Sequence, residues 1–182
     1  MQEIDRSIIT RCLNNDKKAH EEFYKILYRM LIGVCWRYAG NKEKAVEYVN
    51  LGFVRILMNL KQYKDHVPFD LWARRVMINT IINEFNREKK WQNKTRSIEN
   101  KEQVFVAEKD MSDFQEDMIE RIKEKIPLLP PMTARVFNLY AIDGYVHQEI
   151  AKMLGITEGT SAWHYSEAKK RIRQMLGVQL EK

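Results

Sequence analysis

The sequence predicts an all-α protein of two small helical domains joined by a flexible linker. Three observations carry that prediction. Almost every apolar stretch in the 182 residues repeats at spacings of three and four rather than alternating. Glycine and proline are scarce, seven and four residues, and three of the prolines fall between positions 127 and 131, so most of the chain lacks helix breakers. Between Gln92 and about Glu116 the apolar period lapses, and residues 92–117 carry seven acidic side chains against four basic ones, the composition of a solvated link. The expected division is therefore a domain over 1–91, an acidic flexible linker over 92–117 and a second domain over 118–182.

In the first domain, Ala19, Phe23, Ile26, Leu27, Met30, Leu31, Val34 and Cys35 form a wide apolar stripe, which predicts a core helix over about Lys17 to Arg37. Asn41 suits the cap of a second helix, in which Ala45, Val49, Phe53, Ile56, Leu57 and Leu60 continue the pattern. The polar, partly basic segment Lys61 to Pro68 interrupts it. A third helix follows Pro68, with Phe69, Trp72, Ala73, Val76, Met77, Thr80, Ile81 and Phe85 as its apolar set and Arg74, Arg75, Asn79, Asn83, Asn86 and Arg87 on other faces. Cations for phosphates, amides for base edges and rings for unstacked bases are what a binder of melted duplex needs. Phe69 and Trp72, three apart at a helix start, suit the core better than a stacking role.

In the second domain, Leu129-Pro130-Pro131 opens a helix from Met132 to Ile142 that places Val136, Leu139 and Tyr140 on one face and stops at Asp143-Gly144. His147 to Leu154 forms a short helix with Ile150, Ala151 and Leu154 inward, and Gly155 suits the tight turn after it. Thr157 is a good N-cap for a third helix through Ala162, Tyr165, Ala168, Ile172 and Met175. A short helix, a glycine turn and a longer helix with polar residues at its start is the geometry that lays side chains against base edges in a major groove. A plain three-helix scaffold is the competing explanation of the same pattern.

The net charge of +6 is unevenly spread: residues 1–91 hold 17 Lys and Arg against 11 Asp and Glu, and residues 118–182 hold 10 against 7. Two basic modules suit two contacts with a polyanion. No apolar run approaches the length that spans a bilayer, and Met1 to Asp16 has no signal-peptide core, so no membrane insertion and a cytoplasmic site of action are expected. Cys12 and Cys35 stand alone, without a CxxC motif or a His pair, so they are expected to be buried thiols and no metal site is expected. The four histidines, at positions 20, 66, 147 and 164, are scattered, no nucleophile–base motif occurs and GxxxxGK is absent. No enzymatic activity, no cofactor and no small-molecule substrate follow.

The two modules in this order resemble the extracytoplasmic-function group of the sigma-70 family of RNA polymerase initiation factors. In the first module the likeness rests on Ala19-His20-Glu21-Glu22-Phe23-Tyr24, on Ala45 to Leu57, and on Pro68-Phe69-Asp70-Leu71-Trp72 leading to Asn79 and Arg87. In the second it rests on Leu129-Pro130-Pro131, Glu149-Ile150-Ala151, Leu154-Gly155-Ile156 and Glu158-Gly159-Thr160. The resemblance implies core RNA polymerase and promoter DNA as partners, with an anti-sigma factor as a common regulator. It implies docking on the clamp coiled coil of the large core subunit through Glu47, Asn50, Leu51 and Val54, where Lys44, Val46, Asn50 and Leu51 depart from the acid-rich family pattern. It implies capture of non-template −10 bases by Lys61, Lys64, Arg74, Arg75, Asn79, Asn83 and Arg87, with Asn83 standing where Asp is more usual. It implies −35 recognition by Thr160, Ser161, Trp163, His164 and Glu167, with Lys169, Lys170, Arg171 and Arg173 near phosphates. Here Ala162, His164 and Glu167 replace basic residues common near the helix start. The rival reading is an autonomous helix-turn-helix regulator whose N-terminal helices dimerise or sense a signal; it predicts tight duplex binding without polymerase.

Overall fold

The computed structural model describes residues 4–95 and 116–177. Contacts divide the chain into two units, Met1–Gln92 and Asn93–Lys182, and among the described residues every regular element is a helix.

The first unit contains α1 (Arg6–Leu13), α2 (Lys17–Ala39), α3 (Lys42–Asn59) and α4 (Phe69–Thr95), with a 3-10 turn at Leu60–Gln62. Side chains satisfy amides that the helix starts leave unpaired. Asp5 accepts from Ser7 N at 2.9 Å, Asp16 from Lys18 N at 2.9 Å and Ala19 N at 3.2 Å, and Asn41 from Lys44 N at 2.8 Å. α2 ends where Gly40 takes a φ of 77°, a left-handed conformation that glycine adopts without a Cβ clash. α1 is absent from the sequence reading, which takes Met1–Asp16 as a polar terminus. Ile8 and Cys12, one turn apart, are buried and hold it in place, and Arg11 Nε donates to Asp16 at 2.8 Å across the turn into α2.

Phe23, Leu27 and Leu31 from α2, Val49 and Ile56 from α3, and Met77, Ile78, Ile81 and Ile82 from α4 are fully buried, each contributing about 1.5–3 kcal/mol by leaving water. The α4 face differs from the expected one: Ile78 and Ile82 are inside, whereas Trp72, Val76, Thr80 and Phe85 are half-buried at its margin. Gly52 on α3 explains part of the seating, because a Cβ there would overlap Sδ and Cε of the buried Met77. Cys12 and Cys35 are free and buried, and burial pushes the Cys35 thiol up to about 12, which leaves it protonated and inert.

The linker expected over 92–117 falls largely outside the described residues: α4 runs to Thr95, α5 (Glu116–Lys125) begins at Glu116, and residues 96–115 lie between. After a 3-10 turn at Ile126–Leu128, the second unit continues with α6 (Pro131–Phe137), a π-helical turn (Asn138–Ile142), α7 (His147–Leu154) and α8 (Glu158–Leu176). The single helix expected over Met132–Ile142 is thus wound more widely at its end, where Asp143 N donates to Asn138 O at 2.9 Å, a five-residue step. The expected inward residues Val136, Leu139, Ile150, Ala151, Leu154, Tyr165, Ala168 and Ile172 are buried, and Gly155 has a φ of 65° at the turn between α7 and α8.

Candidate nucleic-acid interfaces and docking face

On α3, helical geometry brings Glu47, Asn50, Leu51 and Val54 to one outward stripe, and all four are exposed. Leu51 is 37% and Val54 49% exposed, and Met58, one turn further on, is 70% exposed. The sequence reading omits Met58, although its spacing from Val54 and Leu51 was the available signal. Such a row of partly exposed apolar side chains is the usual mark of an interaction face. Tyr24 on α2 flanks it, donating its hydroxyl to Asn50 Oδ1 at 2.8 Å. Lys44 ties this face to α4: its Nζ lies 2.6 Å from Glu88 Oε1 and 3.1 Å from both Glu47 carboxylate oxygens. Burial opposes the Lys44 charge, but the two carboxylates outweigh it and hold the ammonium above its ordinary pKa.

Arg75, Asn79, Asn83 and Arg87 follow one another at four-residue spacing along α4, forming a slowly winding row, and every member is exposed. Arg74 is exposed at the start of the same helix, and Lys61 and Lys64 are exposed on the segment before it. Arg87 pairs with the buried Glu84 one turn back, so its guanidinium is held rather than free to swing. Phe69 is buried, as expected, while the half-buried Trp72 packs against Phe69 at 5.5 Å and Tyr63 at 5.3 Å between ring centroids. A groove of about 930 Å³ beside this aromatic group is lined by Tyr63, Asp65, His66, Pro68 and Phe69 together with Ile4, Ile9 and Met30.

The helix-turn-helix is formed by α7, the Gly155 turn and α8. Thr157 caps α8, accepting from Thr160 N at 3.1 Å, and its hydroxyl lies 2.8 Å from that of Thr160. Two of the expected base readers lie toward neighbouring helices. Ser161 is wholly buried, with its hydroxyl 2.9 Å from His147 Nδ1 on α7. His164 turns toward α6, with Nδ1 3.0 Å from the hydroxyl of the buried Thr133. Both sit on the flank of α8 that follows Tyr165 and Ala168 into the core, which a list of polar residue types does not distinguish from the outward flank. Trp163 and Glu167 remain on the outward side, half-buried, and Ser166, which the sequence reading omits, lies between them. Lys170, Arg171 and Arg173 are exposed. Arg171 Nε donates to Glu167 at 2.6 Å, and Lys169 Nζ lies 4.8 Å from the centroid of the Tyr165 ring.

His147 and His164 therefore act as polar pins between helices. His147 also stacks on Tyr140, with centroids 4.3 Å apart and ring planes 10° from parallel. Burial lowers the pKa of both histidines, against partial opposition from Glu158 and Glu167 respectively. The folded chain thus binds these protons less tightly than the unfolded chain, whose histidines titrate near 6.5. Their neutral form supports the fold fully above that value, and stability falls as pH drops through the lowered folded values. Protection factors of α8 amides, which are corrected for the intrinsic pH dependence of exchange, are expected to fall as pH drops from about 7.5 through the unfolded-state value. The loss of protection should shrink in the double variant His147→Asn, His164→Gln; an equal loss in both proteins contradicts the assignment.

Two units whose described residues are helical, the second of them a helix-turn-helix, define a protein of the DNA-binding helix-turn-helix class. Comparison with known families names the class: Sigma-70 region 2 matches residues 23–91, and Sigma-70, region 4 matches residues 119–172. The chain belongs to the sigma-70 family, in its extracytoplasmic-function group. It is similar to the ECF RNA polymerase sigma factor SigW of Bacillus subtilis (strain 168), with 22% identity over 184 residues covering 97% of this chain and 98% of that protein. Among solved structures, the sigma factor RpoE in complex with the anti-sigma factor NepR from Bartonella quintana shares the fold, with a TM-score of 0.52 and 14% identity across 88% of this chain and 98% of that one. CnrH in complex with the cytosolic domain of CnrY aligns at a TM-score of 0.46 and 16% identity, over 97% of this chain and 99% of that one. No described helix is long and apolar enough to cross a membrane.

Proposed function

We propose that this sigma factor binds core RNA polymerase through α3 and directs it to promoters, opening the −10 element by capturing non-template bases. The observation that carries the reading is the exposed row Arg75, Asn79, Asn83 and Arg87 on α4, in the same unit as the apolar stripe of α3. Glu47, Asn50, Leu51 and Val54, extended by Met58, dock on the clamp coiled coil of the large core subunit. Lys61, Lys64, Arg74, Arg75 and Arg87 hold the phosphates of the opening strand, and Asn79 and Asn83 bond its bases. Unstacking costs a few kcal/mol, and each captured base returns about 1–3 kcal/mol, so a small number of captured bases offsets the nucleation of the bubble without nucleotide hydrolysis.

In the second unit α8 binds the −35 element through Thr160, Trp163 and Glu167, with Lys169, Lys170, Arg171 and Arg173 near phosphates and Ser161 and His164 left to hold the helix in place. The protein acts in the cytoplasm by binding, without catalysis. The solved RpoE structure that shares this fold is a complex with the anti-sigma factor NepR, which supports an anti-sigma factor as the regulatory partner of this chain. The deciding experiment is size-exclusion chromatography of the purified chain with core polymerase of its own organism, followed by transcription from that organism's promoters. Co-elution and promoter-dependent transcripts are expected; tight binding to duplex DNA with no association with core would favour an autonomous regulator instead.

A further inference from the structure

The reading head of α8 is chemically unusual once its side chains are sorted by position. Ser161 and His164 face other helices, the Thr160 hydroxyl is engaged with the cap residue, and the Glu167 carboxylate holds Arg171. From Glu158 to Ala168 the helix contains no Lys or Arg; the first cation is Lys169. With those polar groups engaged, the large apolar side chain left on the outward side beside Glu167 is Trp163, between Ala162 and Ser166. Its indole is braced: the His164 ring meets it edge-on at 4.8 Å between centroids, and His164 is itself held by Thr133 on α6.

Guanine is read in the major groove by paired N–H donors from Arg or Lys to O6 and N7, whereas thymine presents an apolar C5-methyl group there. A helix start without cations, carrying a braced aromatic ring, is matched to the second group and not the first. We propose that α8 selects its promoter element through thymine methyl groups packed on Trp163, while Lys170, Arg173 and their neighbours contact phosphate and add affinity without sequence preference. This rests on the reading of α8 as the −35-binding helix.

Holoenzyme assembled from the full chain and its own core polymerase would be used to select bound duplexes from a random pool. Each thymine of the enriched −35 element would then be replaced by deoxyuridine, which lacks only the methyl group. Affinity is expected to fall about three- to tenfold at one thymine or more for the native protein, and by less than about twofold at the same positions for Trp163→Ala. Trp163→Leu, which keeps apolar bulk, should retain intermediate sensitivity and controls for loss of fold. Tight binding with no response to deoxyuridine at any position overturns the assignment, as does an unchanged response in Trp163→Ala. If the holoenzyme binds promoters but enriches no −35 element, the reading of α8 itself fails, and the thymine assignment with it.

Discussion

Replacing Leu51 and Val54 together by Asp is expected to abolish association with core polymerase, weakening it by about 100-fold or more. The side chains lie on the outward stripe of α3 with Glu47, Asn50 and Met58, and their exposure places them outside the packed interior. Two carboxylates in the centre of an apolar contact would lose that burial and place unpaired charges in a desolvated interface. The isolated chain should lose about 1–2 kcal/mol and stay folded, because neither side chain belongs to the fully buried core. Size-exclusion chromatography with core and thermal unfolding of the free chain separate the two effects. Co-elution of the double variant at native levels would remove α3 as the docking face. Met58→Asp provides an independent measure: a further loss extends the interface one turn toward Leu60, and native binding confines it to the turns bearing Glu47 to Val54.

The double variant Asn79→Ala, Asn83→Ala is expected to bind core normally and yet fail to open promoters. Both amides are exposed on α4, and no described residue at either position contributes to the buried set of Ala73, Met77, Ile78, Ile81 and Ile82. Their removal therefore acts on the captured strand rather than on the fold. Losing contacts to two bases, each worth about 1–3 kcal/mol, should reduce the open population by about 30-fold or more. Permanganate reactivity of thymines in the −10 region measures this directly. A normal footprint from the double variant would move base capture away from this helix, whereas Arg75→Ala should instead weaken promoter binding in a salt-dependent way, as a phosphate contact does.

Local signals in the chain were sufficient for the elements themselves. Asn41 and Thr157 cap α3 and α8 through their own neighbouring amides, and Gly155 adopts the left-handed turn that its place after Leu154 suggests. These outcomes involve atoms a few residues apart, so spacing alone carries them. The exposed α4 row was legible for a related reason: cations and amides repeated at four-residue intervals have one face on which to gather. The wider winding after Phe137 and the burial of α1 by Ile8 and Cys12 were not legible, because both answer to packing across the unit rather than to local composition.

The sequence by itself determined an all-helical, two-module chain with a helix-turn-helix and a cation-and-amide helix, because periodicity, caps and turn residues act over one or two turns. Only the tertiary structure decided which arc of each helix faces inward. It turned Ile78 and Ile82 into the core in place of Val76 and Thr80, seated Met77 against Gly52, and turned Ser161 and His164 of α8 toward His147 and Thr133. A polar residue's role on such a helix depends on whether a neighbouring helix offers it a partner, and that partner lies 14 residues away for Ser161 and 31 residues away for His164.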